Sequence, residues 1–370
     1  MNREDVKILT APGRTEICGN HTDHQHGIVL AAAVDLETKA VVTKNDSDRI
    51  NISSQGFGFF SLNVNDTSIR PDEYGTPQSL VRGVLSGFKA IGCRVGGFDA
   101  LISSGILPGS GLSSSAAFEV IVGRILNTLY NGNEVNDINI ARIGQMAENF
   151  WYGKPSGLMD QTASAVGGLL GIDFKSPSRP VIEMLKNSFE SSNHEIVIVN
   201  TGSSHRDLTE AYAAIPEDMS AVAKCFGKEF LRDVDQVEFF SSIDRVGQKT
   251  GSIATYRAVH FFLEQTRVRE AISALKCDDF PYFLETINQS GRSSQELLKN
   301  ISVPDSDDPG LAPALELSRS ILSGCGATRP HGGGFAGTIQ AIVPAVMVPE
   351  YTRQMERVYG PGSTKVLKIK

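Results

Sequence analysis

The feature that most constrains this chain is the run Leu107-Pro108-Gly109-Ser110-Gly111-Leu112-Ser113-Ser114-Ser115-Ala116-Ala117. It lies between a strand-like and a helix-like segment. Upstream, Phe98, Ala100 and Ile102 alternate with polar positions, as in a half-buried strand. Downstream, Phe118, Ile121, Val122, Ile125, Leu126 and Leu129 recur at helical spacing until Asn131-Gly132, a stop signal. Glycine lets the backbone take positive φ and approach a ligand closely. Serines at a helix start present hydroxyls and free N–H groups where the helix dipole favours an anion. A triphosphate needs such a cradle, whereas a plain N-cap after a tight turn needs only one serine and one glycine. No G-x-x-x-x-G-K-[ST] occurs, so the loop is not a Walker A motif.

Three further segments carry polar chemistry. Pro12-Gly13-Arg14-Thr15-Glu16-Ile17-Cys18-Gly19-Asn20-His21-Thr22-Asp23-His24-Gln25-His26-Gly27 packs donors and acceptors densely enough to grip hydroxyls. Its histidines equally suit a metal, and a solvated loop is the third reading. In Pro155-Ser156-Gly157-Leu158-Met159-Asp160-Gln161, one carboxylate at a helix start serves either as a general base or as a helix cap. His331-Gly332-Gly333-Gly334-Phe335-Ala336-Gly337 matches G-x-G-x-x-G, but a strand-like stretch, 338–343, follows it instead of a helix. That argues strongly against a dinucleotide fold.

Composition narrows the class. At 370 residues the chain suits two domains of ~100–200 residues each. No run of ~18 apolar residues is present and the first residues are polar, so neither a membrane span nor a signal peptide is expected. Five scattered cysteines without C-x-x-C point to reduced thiols and a cytoplasmic location. A net charge of −7 argues against nucleic-acid or anionic-membrane partners.

Both halves mix helix and strand without regular βα alternation, which predicts an α+β protein. An amphipathic helix is expected over 137–150, with Ile140, Ile143, Ala147 and Phe150 on one side, and another from about Leu158 or Met159. The Ser-, Pro- and Lys-rich stretch 175–193 is the expected domain crossover. A strand is expected over 195–200, and long helices over 252–275 and 280–298.

Taken in order, these segments resemble the GHMP kinases and, among them, the galactokinases, over nearly the whole chain. Residues 12–27 resemble the sugar signature G-R-x-N-L-I-G-E-H-T-D-Y, 108–117 the phosphate loop, and 328–343 the third, Gly-rich motif. Gly157-Leu158-Met159-Asp160-Gln161 is similar to G-I-M-D-Q, and 200–212 to a segment ending in a sugar-contacting tyrosine. The resemblance implies an N-terminal domain like ribosomal protein S5 domain 2 (1–185), a ferredoxin-like C-terminal domain (186–370), and an active site between them. It implies that Asp160 orients or deprotonates the anomeric hydroxyl, with Arg14 steadying it. Asn20, His21, Asp23, Gly157 and Tyr212 would hold the sugar. Gly109, Ser110, Gly111, Leu112, Ser113, Ser114 and Ser115 would wrap the phosphates of ATP, Ser115 and Glu148 would bind Mg²⁺, and Gly333 and Gly334 would close the site. The histidine cluster thereby moves away from a metal role. A monomer with sugar and ATP as its partners is expected.

The chain departs from the galactokinase pattern at several places. Asn20 stands for the signature glutamate, His24 for its tyrosine and Thr15-Glu16 for V-N. Pro77-Gln78-Ser79-Leu80 stands where W-x-x-Y is frequent, and Gln289-Ser290-Gly291 where E-S-H is frequent. Three functions follow: a galactose 1-kinase, a kinase of an N-acetylated, deoxy or uronic relative, and a non-catalytic sugar and ATP sensor. The intact Ser113-Ser114-Ser115, Asp160, Arg14 and Glu148 favour an enzyme over the sensor.

Overall fold

The computed structural model describes residues 6–106, 111–202, 208–303 and 308–370. Its strands are β1 (Lys7–Cys18), β2 (Ile28–Lys44), β3 (Arg49–Ser54), β4 (Gly58–Asn63), β5 (Phe98–Ser104), β6 (Leu169–Asp173), β7 (Val181–Leu185), β8 (His194–Asn200), β9 (Ala327–Pro330), β10 (Thr338–Pro344) and β11 (Thr364–Leu367). The helices are α1 (Pro77–Ala90), α2 (Ser114–Tyr130), α3 (Asp137–Met146), α4 (Met159–Val166), α5 (Thr209–Lys224), α6 (Gln236–Ser241), α7 (Ile243–Thr250), α8 (Ser252–Lys276), α9 (Phe280–Ser293), α10 (Ala312–Leu322) and α11 (Val348–Tyr359).

The strands form a seven-stranded and a four-stranded sheet, giving the α+β class. In the first, β2 is the spine. β1 runs antiparallel along one edge, while β6 and β5 share the other, at residues 28–32 and 38–44. Among the described residues only β3 and β5 pair in parallel. The second sheet, in the order β11-β8-β10-β9, is antiparallel throughout.

The alternation read in β5 is real: Phe98, Ala100 and Ile102 are buried between exposed neighbours. The largest apolar cluster includes Phe88, Phe98 and Ile121 under the first sheet. It continues through Ile196, Ile198, Phe283 and Ile342 beneath the second. The sheets therefore share one core, and loops from both can be held at fixed separation.

Two expectations need correction. The helix expected over 137–150 is α-helical only to Met146 and then widens into a π turn, Ala147–Tyr152. The extra residue in that turn shifts the register. Phe150 is 61% exposed instead of sharing the apolar side, and Glu148 is turned fully inward. The stretch 175–193 is not only a connector, since residues 181–185 form β7 against β6. As an edge strand that is exposed or half-buried along its length, β7 shows no apolar alternation to betray it. No described helix is long and apolar enough to cross a membrane.

Candidate active site

The site is assembled where β1, the start of α2, the start of α4 and the β9–β10 loop converge. Arg14, on β1, donates through its backbone N–H to the Leu112 carbonyl and through Nη1 to the Gly111 carbonyl, at 3.1 and 2.5 Å. Two further nitrogens take Asp160 as a fork: Nε to Oδ1 and Nη2 to Oδ2, both 2.6 Å. Ser113, in the left-handed region at φ 56°, adds its hydroxyl to Oδ2 at 2.7 Å. Burial opposes ionisation of Asp160, but the Arg14 charge and hydrogen bonds outweigh it, with help from Lys154 and Ser113. The carboxyl is held below its usual range.

Beside this pair lies a second acidic centre. Glu148 is fully buried, and its Oε1 accepts from the Ser115 hydroxyl at 2.7 Å and the Lys154 ammonium at 3.0 Å. Its Oε2 accepts from the Gln161 amide at 2.8 Å, and the same nitrogen reaches Glu119 at 2.9 Å. Burial, and then the neighbouring Glu148, push the Glu119 carboxyl well above its usual range. Glu119 therefore lies as a buried carboxyl behind Glu148, bridged to it by the Gln161 amide. A carboxylate and a hydroxyl at the start of α2 are hard oxygen donors. They fit Mg²⁺, which commonly takes one or two carboxylates and completes its shell with phosphates and water.

The polar signature turns back from β1 toward the Gly-rich loop. Asn20 donates to the Gly332 carbonyl at 2.8 Å, His21 contacts the Gly333 carbonyl through Nε2 at 3.0 Å, and Tyr212 donates to that of Gly334 at 3.1 Å. Burial holds the His21 pKa near 3, so its ring is neutral. With Nε2 donating, Nδ1 is a buried acceptor with no hydrogen-bond partner among the described residues. Gly157 sits so close to Asp23 that a Cβ there would lie 1.7 Å from Oδ2. Only glycine permits that approach.

Asn20 is 1% exposed. Its amide donates to Glu16 at 3.1 Å as well as to Gly332, and its Oδ1 accepts from Asn300 at 2.7 Å. Glu16 in turn pairs with the fully buried Arg329. The signature is thus bolted to the loop that follows β9.

Sequence reading named Arg14, Asn20, His21, Asp23, Gly111, Leu112, Ser113, Ser115, Glu148, Gly157, Asp160, Tyr212, Gly333 and Gly334, and the fold gathers them around one cleft. Ser114 opens α2 next to them. Gly109 and Ser110 lie outside the described residues. Lys154, Glu119, Gln161 and Arg329 were missed. Lys154 stood between the helices expected over 137–150 and from about Leu158, in none of the segments singled out, and Arg329 pairs across more than 300 positions.

Two family profiles match the chain: the galactokinase galactose-binding signature over residues 1–44 and the GHMP kinases N terminal domain over residues 79–168. The chain therefore carries the N-terminal GHMP kinase domain and the galactokinase galactose-binding signature. Solved structures show the same fold. Lactococcus lactis galactokinase, complexed with galactose, superposes with a TM-score of 0.84 at 24% identity, covering 99% of this chain and 94% of that one. Methanococcus jannaschii mevalonate kinase gives 0.69 at 18%, covering 100% and 99%. Streptococcus pneumoniae phosphomevalonate kinase gives 0.65 at 13%, covering 98% and 100%.

Proposed function

We propose that this protein transfers the γ-phosphoryl group of ATP to the anomeric hydroxyl of galactose, yielding galactose 1-phosphate and ADP. The observation that carries this reading is the forked Arg14–Asp160 pair, tied by Ser113 to the helix start that would receive the phosphates. Phosphoryl transfer demands mainly alignment and charge neutralisation. Asp160, kept ionised, accepts a hydrogen bond from the sugar hydroxyl. Because its pKa is depressed, it is a weak base before transfer begins. It takes the proton as the new O–P bond forms and the bridging P–O bond to ADP breaks.

The sugar would lie against Asp23, Gly157, Tyr212 and the unpartnered Nδ1 of His21, with Gly333 and Gly334 above it. Glu148 and Ser115 would hold Mg²⁺, which when bound neutralises charge on the phosphates. The backbone from Gly109 to Ser115 would wrap those phosphates. A domain boundary near residue 185 belongs to the same reading, supported by the first sheet ending at Leu185 and the second beginning at His194. The reading also takes the protein to be cytoplasmic and monomeric.

Asn20 favours a second reading for the substrate alone. Its side chain is committed to Glu16, Gly332 and Asn300, so the acidic acceptor of the signature is missing from the sugar pocket. A related sugar with a different substituent there is the alternative. A hexose panel with Mg·ATP, with the product identified by phosphorus NMR, decides between them. Galactose 1-phosphate as the main product supports the first reading, and dominance of an acetamido, deoxy or uronic sugar supports the second.

A further inference from the structure

Lys154 is the cation of this cleft that the family motifs do not include. Gly153, left-handed at φ 81°, ends the π turn, and the next residue carries its ammonium back over that turn onto Glu148. It meets Oε1, the same oxygen that receives the Ser115 hydroxyl at the start of α2. The side chain remains 55% exposed while its tip touches a carboxylate that is completely buried. The side chain therefore runs from solvent to the buried Glu148 carboxylate. Partial burial opposes its charge, but Glu148 and then Asp160 outweigh that and keep it protonated. Its field also reaches Tyr212, at the Gly-rich loop.

The two cations differ in how firmly they are held. Arg14 is fixed through all three side-chain nitrogens, to Asp160 and Gly111. Lys154 has three donors and gives one to Glu148. A triphosphate brings several negative charges beside these groups, and a bound cation would compete with the ammonium for Glu148.

We propose that Lys154 moves from Glu148 to the γ-phosphate when ATP binds, making it an ATP-contacting residue that distinguishes ATP from ADP. The inference rests on the ATP-dependent reading above. An ammonium is a point charge on a flexible stem and needs no fixed approach angle, so this displacement requires only rotamer changes.

The test is equilibrium binding of ATP and ADP by calorimetry, in EDTA and in Mg²⁺, for the wild-type protein, Lys154→Met and Lys154→Arg. Galactose binding without nucleotide is the control. The wild type is expected to bind ATP more tightly than ADP in EDTA. Lys154→Met should lose about tenfold or more in ATP affinity with ADP changed by less than about threefold, while Lys154→Arg keeps most of the preference. Equal ATP and ADP affinities in wild type and Lys154→Met would overturn the inference, leaving Lys154 as a counter-ion to Glu148. Loss confined to galactose affinity would overturn it in favour of a sugar contact. Failure of the wild type to bind ATP even with Mg²⁺ would overturn both this inference and the kinase reading.

Discussion

Arg14 and Asp160 stand 146 positions apart in the chain and meet as a planar fork with two hydrogen bonds of 2.6 Å. That geometry is specific to a guanidinium facing a carboxylate, and Lys cannot reproduce both bonds. Arg14 also holds the Gly111 carbonyl, so one side chain sets the catalytic carboxylate and the phosphate loop in a common frame.

Arg14→Lys should therefore lower kcat by about 10²-fold, since misplacement of reacting groups by about 1 Å has that effect. Ionised Asp160 should also become harder to maintain, because the charge and hydrogen bonds of Arg14 oppose its burial. The acid limb of the pH–rate profile should move upward. Steady-state kinetics across pH check this, and an unchanged kcat with an unmoved limb contradicts it.

Gly157→Ala should act on the sugar and not on the nucleotide. The added methyl would collide with Asp23 Oδ2 and displace that carboxylate. KM for the sugar is expected to rise about tenfold or more, equivalent to at least about 1.4 kcal/mol, while ATP binding is retained. Parallel titrations of the two ligands distinguish this from general unfolding.

Arg329→Met should destabilise the fold by about 3–5 kcal/mol, because it leaves Glu16 buried without its partner. The double variant Arg329→Met with Glu16→Gln should recover most of that loss, since no buried charge is then stranded. Urea unfolding of the singles and the double forms a cycle that measures the coupling.

A pH-dependent contribution to stability resides at Glu264. This buried carboxylate pairs with Arg267 and accepts from Gly19 N–H and the Ser290 hydroxyl. Burial alone would raise its pKa, but Arg267 and His260 outweigh it and bring the value to about 2, against an ordinary 4.5. With the folded pKa depressed, the stabilisation is fully present above about pH 4.5 and is lost as pH falls toward about 2. Glu264→Gln should lower stability at neutral pH and flatten the decline through that acid window. Chemical denaturation at stepped pH provides the check.

Local patterns made much of this protein legible. The helix after the Gly/Ser loop, the strand β5 and the α+β class followed from local patterning, whereas residue type left the polar signature and the Asp160 segment open and their roles were implied only by the resemblance to the GHMP kinases. What escaped depends on distant contacts or fine backbone geometry. Nothing near Asn20 announces that its amide is tied to Gly332 and Asn300, so it reads as a sugar ligand until the fold is seen. The π turn that buries Glu148 and sends Lys154 back toward it differs from an α-helix by one residue, beyond the reach of hydrophobic spacing. Glu119 fits the buried face of α2 as a misplaced charge, and only Gln161 and Glu148 explain it.

The most direct test of the central claim is ADP release from Mg·ATP in the presence of galactose, comparing wild type with Asp160→Ala. Sugar-dependent ADP release by the wild type, abolished in a variant that still binds ATP and galactose, is the predicted result. Tight binding of both ligands by the wild type with no ADP formed would contradict it and leave a sensor of the same fold.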